Sequence, residues 1–346
     1  MSMLADRVDH VIGVDTHRDA HAAAVVAPTG AIGAQATVAA DACGYRCLLH
    51  FAGEQAPDGR VWAIESTGSF GAGLTTFLLE RGERSSAQRG RRGRRGAKSD
   101  QLDAARAACE ALAREHLAQP RRRGEREAIR VLLATRQGAV LARTKAIAQL
   151  KALIVNAPES LRQRLRSLST HAQLARCRRL RTSPSQSTEH RATIIALRSA
   201  ARRALALEAE AAELESQLDL LVAELAPTLL AEPGIGVISA AQILNAWSHP
   251  GRFRSEAAFA SLAGAAPIPA SSGQTVRHRL KRSGDRQLNR ALHTIVLSRL
   301  AHHPETRAYA ARRTAEGKTP REIKRCLKRH LARRLFRLLE AAAITT

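Results

Sequence analysis

Residues 10–30 read HVIGVDTHRDAHAAAVVAPTG, and the fold turns on how this stretch is divided. Val11, Ile12 and Val14 are β-branched residues that suit a half-buried pleated surface, and a second apolar run extends from Ala22 to Ala27. Pro28, Thr29 and Gly30 supply turn chemistry, so residues 10–27 and 32–39 are expected to form two or three short strands. Asp15 interrupts the first run. A carboxylate that needed only water would fall in the following turn, so one placed inside the run needs a partner elsewhere in the chain.

Moving outward, residues 43–55 have the spacing of a helix, and GRVWAIES at 59–66 reads as a buried strand. GSFGAGLTTFLLERG at 68–82 is an amphipathic helix closed by Gly82, and RSSAQ at 84–88 is a further short strand. Strands first, then strands alternating with helices, predict an α/β domain with a mixed sheet. A glycine and arginine linker, RGRRGRRGAKSD at 89–100, follows, and Arg91, Arg92, Arg94, Arg95 and Lys98 in it are candidates for phosphate contact.

Helical pattern resumes over 101–115, then over two long stretches at 125–155 and 189–226. These are expected to form an antiparallel hairpin or coiled coil. The Ser, Thr and Pro content of 167–188 suggests a loop at its tip, beside the basic RCRRLR at 176–181. Pro227 and Pro233 mark a boundary, beyond which the chain reads as mostly helical and ends on the basic helix REIKRCLKRHLARRLFRLL at 321–339. The expected class is therefore α/β plus all-α, in three domains: 1–118, a helical middle at 119–227, and 228–346.

The 346 residues carry 55 Lys and Arg against 31 Asp and Glu, a formal charge of +24. Such a field attracts polyanions, and nucleic acid is the first suspect. The rival is an anionic membrane, but no apolar run approaches the roughly 20 residues needed to span one, and no signal-peptide pattern is evident. A soluble, cytoplasmic protein is expected. Aromatics make up only 3 %, which argues against base stacking and for salt-sensitive backbone binding. Five cysteines without a C-x-x-C pair support neither a disulfide framework nor a zinc knuckle. His17, Asp19 and His21 invite a metal reading, although solvated positions along a strand and turn are the expectation.

Asp15 ends one apolar run and Glu65 ends another. Asp100 and Asp103, three apart at a helix start behind the candidate cap Ser99, can project toward one point. Singly, each acid has a structural explanation in a turn, a cap or a helix dipole. Together, four converging carboxylates would repel severely unless a cation lay between them, and a hard divalent ion prefers such oxygen ligands.

GVDTHRDAHAAAVV at 13–26, AIESTGSFGAGLTTFLLERG at 63–82 and RRGAKSDQLDAARAA at 94–108 resemble the three blocks of the DEDD domain of the insertion-sequence one-hundred-and-ten transposases, also called bridge-RNA-guided recombinases. That domain resembles the RuvC resolvase, a member of the ribonuclease H-like group. The resemblance implies that Asp15, Glu65, Asp100 and Asp103 bind Mg²⁺, or Mn²⁺ in its place. Residues 229–293 are similar to the family's second domain. Within them EPGIGVISAAQIL at 232–244 looks like a helix-hairpin-helix element, in which the backbone around Gly234 and Gly236 can cradle a phosphate.

In PASSGQT at 269–275 the resemblance implies a serine nucleophile that becomes a phosphoserine, namely Ser272, with Ser271 as the alternative. Arg277, Arg279, Lys281, Arg282 and Arg286 are candidates to hold the scissile phosphate. The family further implies DNA donor and target, a structured guide RNA, and a homo-oligomer, dimer or tetramer. Two other function classes fit the same residues. A metal-dependent junction resolvase or nuclease would use water and ignore Ser272, and a non-enzymatic architectural protein would need only the basic surface.

Overall fold

The computed structural model describes residues 2–88, 99–270, 278–280 and 283–345. They form two compact units, Met1–Arg123 and Gly124–Thr346.

The first unit is built on strands β1 (His10–Thr16), β2 (Ala20–Val26) and β3 (Ile32–Ala39), helix α1 (Ala42–Gln55), β4 (Arg60–Glu65), α2 (Ala72–Leu79), β5 (Ser85–Gln88) and α3 (Asp100–Leu112). Its five strands lie in the order β3-β2-β1-β4-β5. β1 pairs antiparallel with β2 and parallel with β4, and β4 pairs parallel with β5, so the sheet is mixed as expected. This arrangement is compatible with a ribonuclease H-like domain.

Both faces of the sheet are covered, and strand parity decides what covers them. Ile12, Val14, Trp62 and Ile64 share a core with Leu48 of α1 and with Leu74 and Leu78 of α2. Val11, Val61 and Ala63 face the other way and pack against Ala104, Ala105 and Ala108 of α3. Gly13 lies under that helix. A Cβ on it would sit 1.9 Å from the Ala104 carbonyl oxygen and 2.9 Å from the Ala108 nitrogen. Only a residue without a side chain lets α3 come so close. The expected C-terminal stop of α2 is also present: Gly82 has φ +76°, and the Glu83 nitrogen donates back to the Leu78 carbonyl at 3.0 Å.

The second unit comprises α4 (Glu125–Val155), α5 (Glu159–Leu165), α6 (Thr170–Cys177), α7 (Thr188–Leu225), α8 (Pro227–Leu230), α9 (Val237–Trp247), α10 (Glu256–Leu262), β6 (Pro267–Pro269), β7 (His278–Leu280), α11 (Arg286–His302), α12 (Pro304–Ala315) and α13 (Pro320–Thr345). α4 and α7 run antiparallel along each other. Arg136 pairs with Glu215 at 2.7 Å, Arg143 with Glu208 at 2.9 Å, and Arg203 with Gln149, so partners advance on one helix as they retreat on the other.

Two cores lie along this pair. One joins α4 and α7 to α8, α9, α10, α11 and α13 through Ile129, Val222, Trp247, Phe259, Leu292 and Leu335. The other joins their opposite ends to α5 and α6 through Leu150, Ile154, Leu161, Leu165, Leu174 and Leu197. This second core corrects the first half of the loop expected at 167–188, where α6 stands, while 178–187 is the loop between α6 and α7. Ser169 accepts from the Ala172 nitrogen at 3.3 Å and Ser187 from the His190 nitrogen at 3.2 Å, so these polar residues are helix caps. Each buried leucine of α5 and α6 contributes about 1.5–3 kcal/mol over an exposed one.

Candidate functional site

Parity fixes the direction of the first two acids. Asp15 lies on the same face of β1 as Val11 and Gly13, and Glu65 on the same face of β4 as Val61 and Ala63, so both look toward α3. The parallel register that sets Val14 opposite Ile64 brings Asp15 and Glu65 abreast at the carboxyl ends of neighbouring strands. The Thr16 hydroxyl donates to the Glu65 carbonyl at 3.1 Å. Ser66 then turns with φ +52°, a left-handed conformation that costs a non-glycine residue energy and carries the chain away toward α2.

The other two acids arrive with α3. Ser99 caps that helix, accepting from the Leu102 nitrogen at 3.2 Å, and both Asp100 and Asp103 fall in its first turn. The close approach permitted by Gly13 lowers this turn onto the ends of β1 and β4. Asp103 is also held by Arg106 at 2.7 Å, one turn further along.

The electrostatics record the convergence. Asp15 is only 8 % exposed. Burial pushes its carboxyl above the ordinary range, and Asp100 and Asp103 push it further, against an opposing pull from His17. Glu65 is raised first by burial, then by Asp15, Asp103 and Glu110. The first acid of the set is nearly buried, with other carboxylates for company.

His17 also lies among these acids. Sequence reasoning left it in solvent with Asp19 and His21, and the structure separates the three. Asp19 is exposed and pairs with Arg18 at 2.9 Å. His21 is fully buried and stacks on Tyr45 with centroids 5.7 Å apart, so its expected solvation is wrong. His17 sits in the turn between β1 and β2, its Nε2 lying 3.3 Å from Asp15 Oδ2 and 3.3 Å from Asp100 Oδ1. Donor atoms of Asp15, His17 and Asp100 all fall within 4.8 Å of one another. Two carboxylates and an imidazole so placed suit a divalent metal ion. The signal was present in the sequence as a histidine two residues beyond a strand-end aspartate.

In the second unit Gly234 and Gly236 lie in the exposed turn between α8 and α9. Gly234 has φ +76°, where a Cβ would meet Ser298 and Arg299 at 3.1–3.3 Å, and Gly236 opens α9. Beneath this turn Glu232 is held by Arg299 and Arg334, each at 2.8 Å, while Arg299 Nε also donates to the Pro233 carbonyl at 2.7 Å. Arg279 on β7 and Arg286 at the start of α11 are both exposed. Ser271, Ser272, Arg91, Arg92, Arg94, Arg95, Lys98, Arg277, Lys281 and Arg282 lie outside the described residues.

Two family models match the chain. One, a transposase model for the DEDD domain of IS110 elements, covers residues 12–157, and the other, described as Transposase IS116/IS110/IS902 family, covers 226–311. The chain belongs to the IS110 family of transposases. It is 35 % identical over 129 residues to an insertion element IS110 uncharacterized 43.6 kDa protein of Streptomyces coelicolor. That match takes in 36 % of this chain and 32 % of the relative's length.

Proposed function

We propose that this protein is a DNA transposase or recombinase that cuts and rejoins strands by transesterification, with its metal centre on Asp15, Glu65, Asp100 and Asp103. The observation that carries the reading is the meeting of two strand-end carboxylates with the first turn of α3. Three functional domains, 1–118, 119–227 and 228–346, are assigned with it, and the protein works in the cytoplasm.

The four acids would hold Mg²⁺, or Mn²⁺, which when bound supplies a Lewis acid for a phosphodiester oxygen and for the charge that develops there. The chain's own part is positioning and proton management. Ser272, or Ser271 in its stead, attacks the scissile phosphorus. One Oγ–P bond forms as one backbone P–O bond breaks, and the serine proton ends on the departing DNA hydroxyl. The phosphodiester energy is kept in phosphoserine, so the reverse attack by a DNA hydroxyl rejoins strands without an added energy source. Arg277, Arg279, Lys281, Arg282 and Arg286 hold phosphate near the serine. The linker arginines and the turn of Gly234 and Gly236 grip the backbone elsewhere. Target choice falls to an element-encoded RNA that pairs with donor and target DNA, and the working form is a dimer or tetramer.

Covalent capture tests this. The full chain is incubated with Mg²⁺, DNA bearing element ends and flanking RNA, then denatured, and any adduct is mapped by mass spectrometry. An adduct on Ser272 or Ser271 that disappears in Asp15→Asn is expected. Metal-dependent cleavage without adduct, unchanged in the variant lacking both serine hydroxyls, would mean a water-using nuclease. DNA binding alone, untouched by Asp15→Asn, would mean an architectural protein.

A further inference from the structure

We propose that His17 is a ligand of the divalent ion, making this a mixed nitrogen and oxygen site that favours Mn²⁺ or another first-row transition ion over Mg²⁺. This rests on reading the four acids as a metal centre and adds a residue that the four-acid pattern does not contain.

The placement of His17 is fixed by the backbone. Its nitrogen donates to the Ala20 carbonyl at 3.0 Å, closing the turn that joins β1 to β2. This turn delivers the ring to the same point that Asp15 reaches from β1 and Asp100 reaches from α3. Nε2 lies 3.3 Å from one oxygen of each. Ligands at right angles on an octahedral ion with bonds of about 2.1 Å stand about 3 Å apart, so Nε2 already stands at nearly that spacing from each acid, while the donor atoms of all three residues fall within 4.8 Å of one another. The ring is half exposed, with 53 % of its side chain accessible, so an ion can reach Nε2 from solvent. The same nitrogen cannot bind a metal and donate a hydrogen bond to either carboxylate. Ion binding therefore replaces two contacts to acids with one bond to the cation that those acids share.

The consequence is selectivity. Mg²⁺ is a hard ion that sheds water reluctantly and is served by carboxylates and water, whereas imidazole is a ligand suited to transition ions. A nitrogen in the first coordination sphere therefore raises affinity for Mn²⁺ relative to Mg²⁺.

Pulsed electron paramagnetic resonance of the full chain loaded with one equivalent of Mn²⁺ reads the bond directly, through nitrogen modulation from a coordinated imidazole. The expected result is clear nitrogen modulation in the wild type and its loss in His17→Gln, which still binds the ion. Mn²⁺ affinity in that variant falls by about tenfold or more, while Mg²⁺ affinity changes much less. His17→Asp, which replaces nitrogen with oxygen, is expected to narrow the Mn²⁺ preference without restoring the modulation. Mn²⁺ that binds in an Asp15-dependent way but shows no nitrogen coupling, or coupling that survives His17→Gln, would overturn the proposal and leave the metal centre standing. Equal Mn²⁺ affinity in wild type and Asp15→Asn would overturn the metal centre, and this proposal with it.

Discussion

Asp15 and Glu232 are buried almost equally, at 8 % and 9 % exposure, and they differ in the charges that surround them. Burial raises both carboxyls. Around Glu232, hydrogen bonds and charge from Arg334 and Arg299 outweigh burial and hold it below the usual range. Around Asp15, Asp100 and Asp103 add to burial, and His17 answers only in part. One carboxylate is finished by its own chain and pins the turn between α8 and α9 onto α11 and α13. The other is surrounded by like charge that its own chain offsets only in part. A buried acid with arginines is a structural device, whereas a buried acid among acids marks a candidate functional site.

Asp15→Asn or Glu65→Gln should break the functional side of this contrast most severely, lowering strand cleavage by about 10³-fold or more, as loss of charge stabilisation at a reacting phosphate does. Gel assays of DNA bearing element ends check it. On the structural side Glu232→Ala leaves the largely buried Arg299 guanidinium short of a partner, while the exposed Arg334 is rehydrated, and should cost about 1–3 kcal/mol, measured by denaturant unfolding of the full chain.

Gly13→Ala comes next, since its methyl would overlap the backbone of α3. A loss of about 3 kcal/mol is expected, together with a fall in divalent-ion affinity as Asp100 and Asp103 are pushed from Asp15. Unchanged ion affinity in a folded Gly13→Ala protein would break the link between that glycine and the site.

The smallest effect has the opposite sign. Without metal, Asp15→Asn should stabilise the protein at neutral pH by about 1 kcal/mol, as removing functional strain commonly does. Because the folded carboxyl titrates above its unfolded counterpart, its favourable contribution is complete in acid and is lost as pH rises through the raised value. The advantage of the variant should therefore vanish below the ordinary carboxylate range, near pH 4. Glu232 should behave in reverse, its contribution present above that range and lost as pH falls through its lowered value. Unfolding measured across pH separates the two.

Much of this was legible in the sequence. The apolar runs around Val11 and Val61 gave β1 and β4, and the acids that end them marked the site because a carboxylate inside such a run needs a partner. Ser99 announced α3, and three- and four-residue spacing announced α4 and α7. Serine misled over the first half of 167–188, since Ser169 starts a helix there, and only packing against Leu150 and Leu197 tells a cap from a coil. His17 was in view as a histidine two residues beyond Asp15, but its placement was not legible. Its value lies in where a turn aims a ring, and that depends on how closely α3 settles over Gly13, a distance no spacing encodes.

The claim that Asp15 belongs to a metal centre is tested most directly by thermal melting of the full chain with and without Mn²⁺. At an ion concentration about one hundred times its Kd, wild type should gain about 2.7 kcal/mol, and Asp15→Asn should gain almost nothing. A wild-type protein indifferent to the ion, or a variant stabilised as much as the wild type, would contradict it.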